Sequence, residues 1–331
     1  MKRILCLILS LVLTCGLLAC GSGDNAESTA AQTAVTQPTQ SEPTQNEPAQ
    51  TEPAQTEPPA ENLPTTVKSV KILAIGNSFS KDAMAHLYTV LKAEGVEQIL
   101  LGNLYIGGCT LDKHAANAKS GEQAYKFYIN SAGEWMTHPM MVSLLEGVKY
   151  EQWDIITMQQ GSPKSGMADE YQPHLDELIA FVNENKTNPD AKLYWHMTWA
   201  YQSDSTQTAF KRYGNDQMTM YLGIVNALKE AVEPTEAFSM LLPVGTAIQN
   251  ARTGFVGDTL TRDGFHLSDL GRLIASYTWY AVLDGQPLYT VNVDKVGAQK
   301  LTDAHKRLIV EAVNSAISNP YEVTESPVKA P

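Results

Sequence analysis

The chain has 331 residues, with 24 Lys and Arg against 36 Asp and Glu, a formal net charge of −12 at pH 7. So acidic a surface argues against nucleic acid or anionic lipid as a partner. Of the four cysteines only Cys109 lies beyond residue 20, which excludes a disulfide framework and a thiolate metal cluster, so the fold must rest on an apolar core.

Residues 1–19 carry Lys2 and Arg3, then the apolar run Ile4 to Leu18, then Ala19 before Cys20. This is the order of an export signal: charged region, apolar region, small residue at the cut. The apolar run is short of the roughly 20 residues a membrane span needs. Leu17-Leu18-Ala19-Cys20 resembles the lipobox of bacterial lipoproteins, which implies lipidation of Cys20 and an envelope protein facing outside the cytoplasm. Two acyl chains on one cysteine would give stable anchoring. Loss of Lys2 and Arg3 leaves 22 basic residues against 36 acidic ones, a charge of −14.

Residues 20–66 form a second region. "SEPTQ", "NEPAQ", "TEPAQ" and "TEPPA" follow one another from Ser41. With almost no large apolar side chains, nothing offsets the entropy of ordering, and regular proline favours an extended tether. A folded domain is expected over 67–321 and a disordered tail over 322–331.

Within the domain, "VKILAIG" (Val70–Gly76) reads as a buried strand and Asp82–Gly95 as a helix ending in glycine. Strands are expected at Gln98–Tyr105, Trp153–Gln159, Ala191–Trp199 and Phe238–Val244. Helices are expected at Tyr171–Asn185, Thr208–Val232 and Leu270–Leu283. The stretch from Asp112 to Tyr150 has no clear period. Strands that are apolar throughout and alternate with helices predict an α/β fold, a three-layer αβα sandwich on a mainly parallel sheet. Ligands of such sheets bind at the carboxyl ends of the strands. Ser78 follows the first strand, so it falls on that rim, either as a member of an ordinary strand-to-helix turn or as a displayed nucleophile.

A serine hydroxyl needs a base, commonly a histidine oriented by a carboxylate. In "LTRDGFHLSDLGR" (Leu260–Arg272), Asp263 precedes His266 by three residues with Gly264 between them, and Ser268 or Asp269 can cap the next helix. One loop could thus supply both groups, or simply carry them as it leads into a capped helix.

Taken together, four blocks resemble the SGNH (GDSL-type) hydrolase superfamily. They are "IGNSFS" (Ile75–Ser80), "YIGGCTL" (Tyr105–Leu111), "ITMQQGS" (Ile156–Ser162) and "DGFHLS" (Asp263–Ser268). With "WHMTWAY" (Trp195–Tyr201) and "PVGTAIQNAR" (Pro243–Arg252), the set is more similar to an uncharacterised bacterial branch. The resemblance implies a flavodoxin-like sandwich and a serine esterase with Ser78 as nucleophile, His266 as base and Asp263 as its orienting carboxylate. It implies an oxyanion hole from the N–H groups of Ser78 and Gly108 and the side chain of Gln160, or of Gln159 if the blocks pair one position earlier. Two positions depart from the superfamily pattern: Asn77 stands where Asp is usual, and the glutamines where asparagine is usual.

No metal or cofactor is expected, and a monomer is the default. His114, His196 and Trp199 are further candidates for contact with substrate, and Cys109 reads as a small buried residue. The expected activity is O-deacylation or acetylester cleavage on an acylated carbohydrate or another small ester, the carbohydrate resting on surface anchoring and family tendency. The other class of function is a catalytically silent, glycan-binding lipoprotein of the same fold.

Overall fold

The computed structural model describes residues 64–330. The expected export signal, Cys20 and nearly all of the expected tether lie outside the described residues.

The chain opens with strand β1 (Ser69–Gly76), short helices α1 (Ser78–Ala83) and α2 (Leu87–Ala93), and β2 (Gln98–Tyr105). Then come α3 (Leu111–Ser120), β3 (Lys126–Asn130), β4 (Met136–Thr137), α4 (Leu144–Lys149) and β5 (Ile155–Met158). The second half holds α5 (His174–Asn185), β6 (Lys192–His196), α6 (Gln217–Ala227), β7 (Met240–Leu242), α7 (Val244–Arg252) and α8 (Asp269–Asp284). A two-stranded ribbon, β8 (Lys295–Val296) with β9 (Gln299–Lys300), precedes α9 (Asp303–Ser318).

Seven strands form one sheet in the order β4-β3-β2-β1-β5-β6-β7. β2, β1, β5, β6 and β7 run parallel; β3 and β4 add an antiparallel edge. The sheet grows from β1 to β2 in one direction and from β5 to β7 in the other. Right-handed crossovers therefore put α1 and α2 on one face and α5 and α6 on the other. α8 packs with α1 and α2, and α3 with α4 and α5, which completes an αβα sandwich of the expected class. The order reverses between β1 and β5, the position at which open α/β sheets leave a crevice. The central strands are buried on both faces, with Ile72, Leu73, Ala74 and Ile156 fully enclosed. Double burial is why they read as unbroken apolar runs.

Several expected boundaries change. The helix expected over Asp82–Gly95 begins at Ser78 and breaks between Ala83 and Leu87. The helix expected over Thr208–Val232 is divided at Gly214 and Asn215, both at positive φ (66° and 54°). The unclear stretch proves to be the antiparallel edge with α3 and α4 around it.

Chain ordered beyond both expected domain limits adds two further changes. Thr65 Oγ1 and the Thr66 N–H both donate to Asp284 at the end of α8, at 2.8 Å each. Past Tyr321 the expected tail packs on the domain: the Thr324 N–H donates to Asn250 Oδ1 at 2.7 Å and the Ser326 N–H to Thr253 Oγ1 at 2.8 Å. Val328 is buried there. Side chains at the end of α7 supply these acceptors, a partnership invisible in the local composition of the tail. Among the described residues no helix is long and apolar enough to cross a membrane.

Candidate active site

β1 ends at Gly76, and Asn77 in extended conformation caps α1, its Oδ1 accepting the Phe79 N–H at 2.9 Å. Ser78 is the first helical residue and is half-buried at the carboxyl edge of the sheet. The first N–H groups of a helix have no partner within it. Asn77 takes that of Phe79, and the Ser78 N–H has no acceptor among the described residues.

On the same rim the chain from Leu260 to Ser268 folds into a narrow loop. Thr261 bridges Leu267, the Arg262 N–H donates to His266 O, and the Ser268 N–H donates to Leu260 O. Gly264 at its tip has φ +86°, where a side chain would be strained, and its carbonyl accepts from the Gln202 N–H. This tight turn lets Asp263 hold His266 at two points: Oδ1 accepts the His266 backbone N–H at 2.8 Å and Oδ2 lies 2.7 Å from Nδ1. Partial burial pushes the Asp263 carboxyl up, but the hydrogen bonds from the His266 ring and backbone and from the Phe265 N–H outweigh it and hold it below the usual carboxylate range. An ionised Asp263 fixes the tautomer with hydrogen on Nδ1, which leaves Nε2 as the basic nitrogen. The side chain of His266 is 19% exposed, so the imidazole is reachable from solvent.

Two contacts, neither indicated by the spacing of residues, hold this loop to the serine turn. Asp82, on α1 and 2% exposed, accepts from the Leu267 N–H at 2.9 Å, from Arg262 Nη1 at 3.0 Å, and from Arg272 Nε and Nη2 at 3.0 and 2.8 Å. Trp199 stacks on Phe79 with centroids 4.1 Å apart, and its indole N–H donates to Phe265 O at 2.8 Å. Phe79 follows Ser78, and its ring centroid lies 6.2 Å from that of His266. Ser78 and the His266 imidazole are thus brought to one rim. They share no hydrogen bond.

Gly108 lies in the turn after β2 with φ +61°, a conformation suited to glycine, and its N–H has no acceptor among the described residues. Gln160, the other expected oxyanion donor, is engaged elsewhere. Its Oε1 accepts from the N–H groups of Leu111 and Gly161, its Nε2 donates to Glu170 O, and it is 1% exposed. Gln159 is equally committed: Nε2 donates to Asn77 Oδ1 at 3.0 Å and Oε1 lies 2.9 Å from His196 Nδ1. Both amides brace the loops behind the rim.

The three expected substrate contacts also change role. His114 is fully buried against Tyr125, its Nδ1 2.9 Å from the phenol oxygen, and burial pushes its pKa down to about 3. His196 is fully buried beneath Trp279, pushed down to about 3 for the same reason. Trp199 has no exposed surface and acts as the strut just described. His196 and Trp199 lie at or after the end of β6 and His114 just past the glycines at 107 and 108, which is why their positions suggested the rim; each side chain is buried in the core. Cys109 is buried, and desolvation pushes its thiol up to about 12, so it is no nucleophile.

The family described as "Domain of unknown function (DUF4886)" matches residues 71–306. A DUF4886 family protein from Bacteroides uniformis ATCC 8492 has a solved structure 37% identical to this chain, with a TM-score of 0.72, over 78% of this chain and 98% of its own. A proposed SGNH hydrolase from Slackia heliotrinireducens is 19% identical with a TM-score of 0.45, over 65% of this chain and 99% of its own. A catalytic mutant of an acetylxylan esterase from Geobacillus stearothermophilus is 14% identical with a TM-score of 0.43, over 65% and 94% respectively. No curated protein matches. With its match spanning most of the folded unit, the chain belongs to the DUF4886 family.

Proposed function

We propose that this protein is a serine esterase, held at the bacterial envelope through Cys20, that removes acyl groups from a carbohydrate. The observation that carries the reading is the doubly held Asp263–His266 pair, tied through buried Asp82 to the helix that Ser78 opens. A histidine that merely decorates a loop has no need of an oriented carboxylate, nor of an anchor on another element. In this mechanism His266 Nε2 takes the Ser78 hydroxyl proton as Oγ attacks the ester carbonyl. Asp263 stabilises the imidazolium, and the oxyanion meets the N–H groups of Ser78 and Gly108. His266 then protonates the leaving alcohol, and water resolves the acyl-enzyme by the same steps in reverse order. The anchor rests on the lipobox-like Cys20 and the tether behind it, and the carbohydrate on that surface anchoring and on the tendency of the resembled superfamily.

The test is hydrolysis of a short-chain aryl acetate together with labelling by a fluorophosphonate. Wild type is expected to do both, and Ser78→Ala to lose labelling and at least about 10³-fold in kcat. Equal turnover and labelling in the variant would remove Ser78 from the mechanism. A wild type inert across several pH values would favour a silent binding module.

A further inference from the structure

The rim does not end at the serine. One helical turn after Ser78, Lys81 extends from α1 over the antiparallel edge of the sheet, its ammonium 4.5 Å from the ring centroid of Tyr128 and 5.7 Å from that of Tyr105. Tyr105 is paired in register with Gly76, two residues before the serine, and its ring meets that of Tyr128 edge to face at 5.6 Å. Beyond these rings lies a cleft of about 260 Å³, lined by Lys81, Asn103, Tyr128, Trp135, Thr137 and Arg272. It is smaller than the roughly 300–1,000 Å³ of sites for drug-sized ligands, so it suits a single ring.

Charge separates this cleft from an ordinary surface groove. Arg272 and Arg262 are matched by Asp82 and Asp269. Lys81 has no carboxylate within ion-pair distance among the described residues, although acids outnumber bases 36 to 24 in the chain. A lysine lying on tyrosine can be no more than a solvated side chain covering apolar surface. Two other features of the cleft go unexplained on that view. Asn103 Oδ1 accepts from Ser80, but its amide nitrogen has no acceptor among the described residues. Trp135 packs only partly against the core and keeps some exposed surface, whereas the other four tryptophans are at most 2% exposed.

We infer that this cleft is a substrate subsite for a sugar ring bearing a carboxylate, a uronic acid, whose acyl ester is presented to Ser78. The apolar face of the ring lies on Trp135 and Tyr128, the carboxylate meets Lys81, and the Asn103 amide donates to a ring hydroxyl. The kinetic part of this inference rests on the esterase reading; the binding part does not.

Because Trp135 is the one partly exposed indole among the described residues, its emission reports binding without any turnover. Titration of the mature chain with glucuronic or galacturonic acid is expected to change that emission saturably, and glucose or galactose to bind about 10-fold more weakly. Trp135→Phe should lose the signal, and Lys81→Met should bring uronic acid and neutral sugar to within about 2-fold of each other. In turnover, wild type should prefer an O-acetyl uronate over the O-acetyl neutral sugar by about 10-fold in kcat/KM, a ratio that collapses in Lys81→Met. Equal binding of acid and neutral sugar by wild type, or a preference untouched by Lys81→Met, overturns the subsite. Selective binding of uronic acid by a protein that cleaves no ester keeps the subsite and removes the esterase.

Discussion

Asn77 shows how a departure from a familiar motif can be required by its surroundings. Its Oδ1 accepts from the Phe79 N–H and from Gln159 Nε2, while its Nδ2 donates to Cys109 O at 2.9 Å. A carboxylate could accept the first two bonds but has no hydrogen for the third, and would face a carbonyl oxygen at a position 1% exposed. The two backbone groups fix the orientation of the Asn77 amide, which makes Gln159 donate from nitrogen. Its Oε1 must then accept from His196, which puts the imidazole hydrogen on Nδ1. One amide thus sets the hydrogen-bonding sense of a line running from β1 to β6. Asn77→Asp is expected to cost about 2–4 kcal/mol, the range for a buried polar group set against an unmatched partner. Urea unfolding at pH 7 measures it, and undiminished stability would mean that the Cys109 carbonyl does not need this donor.

Between elements the decisive link is α1 to the loop before α8 and to the first turn of α8, made by Asp82 to partners 180, 185 and 190 residues away. In sequence Asp82 looks like the acidic start of a helix. The real start is four residues earlier, because Asn77 supplies the cap and Asp82 falls on the inner side of α1. Separations of that size leave no local signal, so the pairing was illegible, as were the cores into which His114 and His196 turn. The parallel strands were legible, since burial on both faces writes itself as an apolar run, and so was the Asp263–His266 pair, whose contact is local. Helix limits were less so: Gly214 and Asn215 both take left-handed φ and divide a segment whose apolar spacing continues through them. Asp82→Ala should leave Arg262 without a carboxylate and Arg272 with Asp269 alone, and loosen the loop that carries His266. The expected result is a loss of about 3 kcal/mol in stability. If the proposed esterase reading holds, kcat should also fall by about 10–100-fold with KM nearly unchanged, as misplacement rather than lost substrate contact requires. Lower stability with kcat intact would reduce Asp82 to a purely structural tie.

For the molecule as a whole, the same buried imidazoles make stability depend on pH. His114 and His196 are held near a pKa of about 3 by burial, whereas an unfolded histidine titrates near 6.5. Above about pH 6.5 both states hold them neutral and they contribute no dependence on pH. As pH falls below that value, the unfolded chain takes up two protons that the folded chain refuses, so the equilibrium moves toward unfolding. At pH 5 each should have removed about 2 kcal/mol, and the pair about 4 kcal/mol, a large part of the roughly 5–15 kcal/mol that holds a domain together. Asp263 adds no pH dependence in this window, since its carboxyl, held below the usual carboxylate range, is ionised in both states. Urea unfolding at pH 7 and pH 5 separates the contributions. His114→Gln and His196→Gln will each be less stable at pH 7 than wild type, having lost a fitted ring. Each should nevertheless lose about 2 kcal/mol less than wild type between the two pH values. A pH response identical to wild type in both variants would mean that these rings are protonated in the folded state, and would place water or a counter-charge beside the two unpartnered Nε2 atoms.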